Sequence, residues 1–250
     1  MPTGEVVLEA RGACKRYFRA GRSSGRTFDA VAPLDLVLRS GELVACMGRS
    51  GSGKTTLLNM LAGLLAPTEG TVLLGGQDLY ALDDVTLSRL RNEHIGVIPQ
   101  GQTVLHSLTV IENVTLPDGL YRRQDAEGMG RPSDVFGVGE WRSLGSMGAE
   151  DRAMWLLGRM GIDELADSYP SELSGGELRR IAIARSLVLM PRVVLADEPT
   201  SDLDDETTQT VLKMLREVAD GGATVFVVTH ESDVASYADR TVRMSVGTLT

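Results

Sequence analysis

The amino-acid sequence predicts an α/β protein with a mostly parallel sheet, an antiparallel β subdomain at its N-terminus and an inserted α-helical subdomain. Three apolar runs of strand length indicate the parallel sheet: "LVACM" (43–47), "RVVLAD" (192–197) and "ATVFVVTH" (223–230). Such continuous runs are typical of parallel strands that helices cover on both faces. Residues 54–65 and 205–220, which lie between these runs, have apolar residues at helical spacing.

The N-terminal third predicts the antiparallel subdomain. Its apolar and polar residues alternate in short runs, as in "EVVLEARG" (5–12) and in "LDLVLRSGEL" (34–43), which is interrupted at Ser40-Gly41. Alternation of this kind is typical of strands that bury one face. The helical lobe is expected at about 101–172, within a single domain that extends over residues 1–250.

Residues 118–149 interrupt the helical pattern of that lobe. The stretch has seven glycines, mixed charge and no sustained period, which predicts a loop or a poorly ordered insertion. Two interpretations stay open: a tolerated surface insertion, or an element that docks a partner.

The charge balance and the cysteines limit the possible functions. The formal net charge is −9 and the pI is near 4.9, so we expect no direct binding of nucleic acid, which requires clustered Lys and Arg. Cys14 and Cys46 lie far apart without a metal-binding spacing, as expected for reduced thiols in the cytoplasm. No apolar run approaches the ~20 residues that span a bilayer, so any membrane role would come through a partner.

A glycine-rich loop after the first apolar run predicts nucleotide binding. The residues "GRSGSGKT" (48–55) match G-x-x-x-x-G-K-[ST]. The glycines let successive backbone N–H groups point inward, and the helix N-terminus adds positive potential. Lys54 would contact the β- and γ-phosphates, and the Thr55 hydroxyl would bind Mg²⁺. The candidate ATP-binding residues of the loop are Gly48, Arg49, Ser50, Gly51, Ser52, Gly53, Lys54, Thr55 and Thr56.

Polar residues at the ends of the other predicted strands complete this candidate site. Asp197 ends its strand and would hold the metal, whereas Glu198 is placed to orient and deprotonate an attacking water. His230 ends "ATVFVVTH" and could hydrogen-bond the γ-phosphate or the water, although a strand-end histidine is more often structural. Gln100, after "HIGVIP", could likewise be an ordinary polar loop residue.

A second glycine-containing helix start, "LSGGELRR" (173–180), offers another potential anion site. The apolar residues that follow predict a largely buried helix, so Gly175 and Gly176 would lie at its N-terminus. Ser174 and Glu177 also have the spacing of a capping box. On residue chemistry alone, an ordinary helix cap is the better explanation.

Taken in order, these motifs resemble those of the nucleotide-binding subunit of ATP-binding-cassette (ABC) transporters. The resemblance covers nearly the whole chain and rests on "GRSGSGKTT", Gln100, "LSGGE", "VVLADE", "SDLD" and "VTH". It implies a P-loop NTPase core, ATP and Mg²⁺ as ligands, and two ATPase domains packed head to tail. Each ATP would lie between the phosphate loop of one domain and the Ser-Gly-Gly motif of the other, which here comprises Ser174, Gly175, Gly176 and Glu177.

The resemblance also implies roles for the residues at the strand ends. Glu198 would be the catalytic base, and His230 would contact the γ-phosphate. Gln100 would touch the metal, together with Thr55 and Asp197, and would sense the transmembrane partner.

Two further roles come from the resemblance. Asp204 in "SDLD" would communicate across the dimer. An aromatic residue near the N-terminus normally stacks on adenine; Tyr17 in "KRYF" matches best and Phe18 is second. Either ring could instead be a buried strand residue.

The segment "LTVIENVTLP" after Gln100 is similar to the branch that serves lipoprotein release and macrolide or peptide export. The resemblance therefore implies an ATPase that pairs with a second ABC subunit, here taken as its own copy, and powers an integral membrane permease from the cytoplasmic face. The main alternative is a soluble ABC ATPase that acts on nucleic acid or ribosomes, which the acidic balance and the single cassette disfavour. A P-loop kinase or GTPase would leave "LSGGE" unexplained.

Overall fold

The computed structural model describes residues 4–19, 26–101, 103–120 and 140–250. The strands in these ranges are β1 (Val6–Arg19), β2 (Arg26–Arg39), β3 (Leu43–Met47), β4 (Glu69–Leu74), β5 (Gln77–Asp78), β6 (Ile95–Ile98), β7 (Val193–Asp197), β8 (Thr224–Thr229), β9 (Arg240–Ser245) and β10 (Thr248–Leu249). The helices are α1 (Lys54–Leu61), α2 (Asp84–His94), α3 (Val110–Leu120), α4 (Glu140–Leu144), α5 (Ala149–Arg159), α6 (Gly175–Leu187) and α7 (Asp205–Asp220). Short 3₁₀ turns lie at Leu79–Ala81, Asp163–Leu165, Pro170–Glu172 and Asp233–Ser236.

The central sheet has six strands in the order β10-β9-β3-β8-β7-β6. Strands β9, β3, β8, β7 and β6 run parallel, and their ends are in register, with Met47 opposite Thr229 and Asp197 opposite Val228. The three apolar runs thus form the parallel strands that the sequence predicts. Because parallel strands end at one edge of the sheet, the loops that follow β3, β6, β7 and β8 lie side by side there.

A four-stranded antiparallel sheet, ordered β2-β1-β4-β5, contains most of the N-terminal third. Strands β1 and β2 pair from Val6 opposite Arg39 to Arg19 opposite Arg26. The chain leaves β2 at the turn formed by Ser40 and Gly41, as the sequence predicts, and Gly41 takes a positive φ of 74° there. The predicted antiparallel subdomain is therefore confirmed.

The central sheet separates two hydrophobic cores. Alternate residues of β3 point to opposite faces, so that Leu43 and Ala45 pack with α5, α6 and α7, whereas Val44 and Cys46 pack with α1, α2 and the antiparallel sheet. This burial on both faces explains why the parallel strands are apolar from end to end.

The helical lobe packs α3 and α5 against α6. Helix α6 is buried on several sides, through Leu178, Ile181, Ile183 and Leu187, because it also lies against β6. Of the predicted insertion at 118–149, residues 121–139 lie outside the described part of the chain. At its edges, residues 118–120 complete α3, α4 follows, and α5 begins at Ala149.

Candidate nucleotide site

The loop between β3 and α1 requires glycine at two positions. A Cβ atom on Gly48 would lie 2.4 Å from the Met244 carbonyl oxygen, and one on Gly53 would lie 2.2 Å from the Ala30 carbonyl oxygen. Gly53 also takes a φ of 104° and caps α1 without any side-chain hydrogen bond. The first turn of α1 therefore keeps backbone N–H groups that no side-chain cap satisfies, as an anion site requires.

Lys54 lies folded into this loop. Its ammonium group donates hydrogen bonds to the carbonyl oxygens of Gly48 (2.7 Å) and Arg49 (3.2 Å), and it lies 3.7 Å from Glu198 Oε1. The side chain is buried. A buried ammonium against a carboxylate and two carbonyls provides a fixed positive charge beside the phosphate loop.

Asp197 has the chemistry of a Mg²⁺ ligand. Its side chain is buried at the end of β7, and Oδ1 has no hydrogen-bond partner. Burial raises the pKa of this carboxyl, and the hydroxyl of Thr55 opposes the rise. A buried carboxylate oxygen without a partner, next to a hydroxyl, suits a hard divalent cation with oxygen ligands. The residues present therefore fit the metal that the sequence predicts.

Glu198 has a strained backbone and a fixed carboxylate. Its φ of 47° lies in the left-handed region, which costs a non-glycine residue on the order of 1 kcal/mol or more. Oε2 accepts hydrogen bonds from the Thr229 hydroxyl (3.0 Å) and the His230 backbone N–H (3.3 Å), and Oε1 lies 3.0 Å from His230 Nδ1. Strain of this kind persists only where surrounding contacts hold it, and it is concentrated at functional sites.

The contact between Glu198 and His230 shifts their two pKa values in opposite directions. Burial alone would raise the pKa of Glu198, but hydrogen bonds from His230 and Thr229 lower it below its ordinary value. The same contact with Glu198 raises the pKa of His230, whose ring is largely exposed. Because the carboxylate is ionised and can only accept, His230 Nδ1 must carry the proton, and Nε2 faces away from Glu198.

Gln100 and Tyr17, the candidate metal and adenine contacts, are both accessible to solvent. Gln100 is exposed and follows β6, at the same edge of the sheet as Glu198 and His230. Tyr17 on β1 is 38% exposed, with its ring centroid 6.0 Å from that of Phe28 and 5.7 Å from Lys15 Nζ. Tyr17 is therefore accessible for stacking rather than buried in the strand, and Phe18 is more exposed still, at 68%.

Helix α6 begins with a complete capping box. The Ser174 hydroxyl accepts a hydrogen bond from the Glu177 N–H (3.4 Å), and Glu177 Oε2 accepts from the Ser174 N–H (2.7 Å). Ser174 and Gly175 are exposed. In the part of the chain that the structure describes, no hydrogen bond or ion pair joins this helix start to the phosphate loop. The cap that residue chemistry predicts is present, and the N-terminus of α6 is exposed.

The sequence of this chain matches a known protein family. The family described as "ABC transporter" matches residues 31–201. The chain belongs to the ABC transporter family. It is an ATP-binding ATPase subunit of a transporter, which confirms the family and the activity that the sequence predicts.

Curated relatives of this ABC ATPase match over most of its length. It is 36% identical to the lipoprotein-releasing system ATP-binding protein LolD of Syntrophotalea carbinolica, with 100% of each chain covered. It is 37% identical to the macrolide export ATP-binding/permease protein MacB of a Shewanella species, over 97% of this chain and 34% of the relative. The methionine import ATP-binding protein MetN of Cereibacter sphaeroides is 41% identical, over 90% of this chain and 59% of the relative.

Solved structures agree with the fold of the ABC ATPase. The ATP-binding cassette MJ0796, solved as a dimer in a post-hydrolysis state with ADP and Pi, superposes with a TM-score of 0.79 at 33% identity. The match covers 96% of this chain and 95% of that one. A second dimeric structure of the same cassette gives a TM-score of 0.80. The predicted fold class is therefore confirmed.

Asp204 serves as the N-cap of α7 in this ABC ATPase. Its carboxylate accepts hydrogen bonds from the Thr207 N–H and hydroxyl, each at 2.8 Å, and the backbone contact lowers its pKa. The residue lies in the loop that leaves Glu198 and β7. It follows Glu198 by six residues in the chain, and its expected role across a dimer remains a prediction.

Two residues of the site were not predicted from the sequence. Thr229 donates its hydroxyl to Glu198, and its place directly before His230 in "VTH" was the available signal. Arg179 is buried and donates to main-chain carbonyls beside Gln100 and Glu198. It lies within "LSGGELRR", but the sequence does not show the direction in which its side chain points.

Among the described residues, no helix combines the length and apolar character needed to cross a membrane.

Proposed function

We propose that two copies of this chain pair head to tail, hydrolyse ATP at two shared sites and power a separate integral membrane permease. The observation that carries this proposal is the contrast between two helix starts. The start of α1 has no side-chain cap and adjoins the buried candidate catalytic residues. The start of α6 is capped and exposed, and within the described residues no hydrogen bond or ion pair joins Ser174, Gly175 or Gly176 to the phosphate loop. A second copy would bring an exposed α6 start to the open face of a phosphate loop.

On the phosphate side, the loop from Gly48 to Thr56 would hold the nucleotide. Lys54 would exchange its carbonyl partners for the β- and γ-phosphates, and Tyr17 would stack on adenine. Thr55, Asp197 and Gln100 would hold Mg²⁺, which when bound would neutralise charge on the phosphate oxygens.

Glu198 would act as the general base. Its carboxylate is fixed at both oxygens, so that it can orient a water for attack on the γ-phosphate. His230 would hold Glu198 through Nδ1–H, which leaves its exposed Nε2 edge available to the γ-phosphate. Ionisation of Glu198 is supported by the pKa that its hydrogen bonds lower.

On the opposite side, Ser174, Gly175, Gly176 and Glu177 would contact the γ-phosphate bound by the other copy. The hydroxyl and backbone N–H groups at the start of α6 carry positive potential that suits an anion. ATP would therefore bridge the two copies, and loss of the γ-phosphate would release them. Asp204 would connect the two sites.

The transport role of the chain is proposed from its relatives. LolD and MacB, by their names, belong to lipoprotein release and macrolide export. We propose an export permease of that type as partner, bound at the cytoplasmic face through the surface around Gln100, with the ATPase attached peripherally. Direct binding of nucleic acid is not expected, because the net charge is −9.

The shared site can be tested by mixing two inactive variants. Lys54→Ala damages the phosphate side, and Ser174→Arg damages the opposite side. If the sites are shared, a mixed dimer has one doubly damaged site and one intact site. Random pairing of equal amounts should then restore about a quarter of wild-type ATPase activity.

The matched control mixes Lys54→Ala with Glu198→Gln, which both lie on the phosphate side. Each site of that mixed dimer keeps one damaged residue, so activity should stay at the level of the single variants. Restoration in the control, or none in the test mixture, would argue against the trans position of Ser174.

The partner can be tested by purifying the tagged chain from membranes in the presence of ATP. We expect an integral membrane protein to co-purify in constant ratio with it. Recovery only in the soluble fraction, with nucleic acid bound in a salt-sensitive manner, would favour the soluble alternative.

A further inference from the structure

The guanidinium group of Arg179 is buried in the second turn of α6 and is bound entirely by main chain. Nη1 donates to the carbonyl oxygens of Pro99 (2.6 Å) and Gly101 (3.2 Å). Nη2 donates to those of Asp197 (3.0 Å) and Glu198, and Nε donates to that of Pro199 (3.1 Å). A guanidinium has five N–H donors, so every donor has a carbonyl partner.

These five carbonyls belong to two segments of the candidate site. Pro99 and Gly101 are the residues on either side of Gln100. Asp197 and Glu198 supply the carbonyls on either side of the Glu198 Cα atom. One planar group thus holds the backbone around the candidate metal ligand and around the candidate base at the same time.

The contacts at Glu198 matter because its backbone conformation is strained. A φ of 47° in a glutamate must be held by its surroundings. Nη2 of Arg179 binds the two carbonyls that flank this residue, and the Ser201 N–H adds a further contact to the Glu198 carbonyl (3.2 Å). Loss of the guanidinium would release the peptide planes that set the direction of the Glu198 side chain.

The same contacts connect the catalytic carboxylate to α6. Arg179 lies five residues after Ser174, on the helix that begins with the Ser-Gly-Gly motif. A displacement of α6 would therefore move the backbone at Glu198 and at Gln100, or break its bonds to them.

We propose that Arg179 is a positioning residue that aligns Glu198 and Gln100 with the position of helix α6. All five of its donors bind main-chain carbonyls, so it would act through the main chain of the residues that contact nucleotide and water. The proposal rests on the role of Glu198 proposed above.

The test compares the same chemical change at two neighbouring arginines. Arg179→Lys keeps the charge but replaces a five-donor fork by a single ammonium, which cannot span the five carbonyls. The matched control is Arg180→Lys, on the same helix, where Nη1 donates to the Met160 carbonyl oxygen (2.8 Å) in the helical lobe. Arg179→Gln, which buries no unpaired charge, provides a second variant should the lysine variant fold poorly.

We expect Arg179→Lys to lower kcat about 100-fold, since a displacement near 1 Å of a catalytic group has that effect. KM for ATP should change by less than about three-fold, because the phosphate loop is untouched, and Arg180→Lys should leave kcat within about three-fold. An equal loss in both lysine variants, or a loss confined to KM, would overturn the proposal.

A double-mutant cycle with Glu198→Gln separates positioning from a general loss of structure. If Arg179 acts through Glu198, then in the Glu198→Gln background Arg179→Lys should lower the single-turnover rate constant of ATP hydrolysis by less than about three-fold. A full 100-fold further loss there would mean that Arg179 acts independently of Glu198. Wild-type turnover in Glu198→Gln itself would instead remove the proposed base, whatever the result at Arg179.

Discussion

Helices α1 and α6 both begin at glycine-containing sequences, but their first turns are satisfied in different ways. Gly53 caps α1 at a φ of 104° without a side-chain hydrogen bond, and Lys54 lies buried beside it. Ser174 caps α6 through its hydroxyl, Glu177 completes the box, and both Ser174 and Gly175 are exposed. The first turn of α1 has backbone N–H donors without a side-chain cap and lies near the candidate catalytic residues, whereas the first turn of α6 has a complete capping box and is exposed.

The difference shows how one type of local structure serves two purposes. A helix N-terminus attracts anions wherever it occurs, so attraction alone does not distinguish the two. What distinguishes them is the surroundings: Asp197, Glu198 and His230 lie at the sheet edge beside α1. At α6, capping and ligand binding are compatible, because the box uses the Glu177 N–H and leaves those of Gly175 and Gly176.

The largest expected effect tests whether the residues beside α1 carry out the hydrolysis of ATP. Glu198→Gln should retain ATP binding, because Lys54 and the loop remain, while turnover falls by about 100- to 10,000-fold through loss of the base. Equilibrium binding of ATP and steady-state hydrolysis measure the two effects separately. Glu231→Gln is the matched control, since Glu231 accepts a hydrogen bond from the Thr200 hydroxyl and acts on His230 only through its charge. Comparable losses in both variants would contradict the assignment of Glu198.

The next effect tests the geometry of the α1 start. Gly53→Ala should destabilise the fold by about 3 kcal/mol or more, since the new Cβ would lie 2.2 Å from a backbone carbonyl at a φ of 104°. Gly51→Ala should cost only about 1 kcal/mol, because its φ of 76° adds strain but no atom lies within 4 Å of the new Cβ. Urea unfolding of both variants gives the difference. Equal losses of stability in the two variants would mean that the loop can shift to accommodate the Cβ atom at position 53.

A third effect tests whether the α6 start binds an anion as well as capping the helix. Asn and Asp both cap helices about as well as Ser, but the Ser174 hydroxyl also donates to Glu177 Oε2 (2.8 Å), so Ser174→Asp should have a lower thermal stability than Ser174→Asn. Only the aspartate would face a phosphate with a like charge, and we expect about a 10- to 100-fold weaker ATP-dependent dimer than for the asparagine variant. Sedimentation with ATP in the Glu198→Gln background measures it. Equal dimer affinities for the two variants would mean that the start of α6 caps the helix but binds no anion.

The sequence predicted what depends on local pattern. The parallel strands follow from continuous apolar runs, the cap of α6 from the spacing of Ser174 and Glu177, and the meeting of strand-end residues from the register of a parallel sheet. Arg179 could not be predicted, because its partners are carbonyls 18 to 80 residues away whose direction depends on tertiary packing. The positive φ of Glu198 could not be predicted either, because a glutamate does not favour this conformation and only contacts from other elements hold it.

The smallest effect isolates the charge of the α6 cap. Hydrogen bonds from the Ser174 N–H and hydroxyl lower the pKa of Glu177 below its ordinary value of 4.5. The folded state therefore favours the ionised form, which stabilises the protein above pH 4.5; this contribution is lost as the pH falls through the lowered folded value. Gln at this position still closes a capping box, so only the charge is removed.

Glu177→Gln should therefore be less stable than the wild-type protein at neutral pH by about 0.5 kcal/mol, a small value because solvent screens the pair. The difference should shrink as the pH falls below 4.5. Urea midpoints of the two proteins, measured in parallel from neutral to acidic pH, give this difference directly, with Glu164→Gln as the control for an exposed glutamate of the same lobe. A stability difference that stays constant across that pH range would mean that the shape of the Glu177 side chain, and not its charge, stabilises the protein. The negative charge that caps α6 would then contribute nothing to stability.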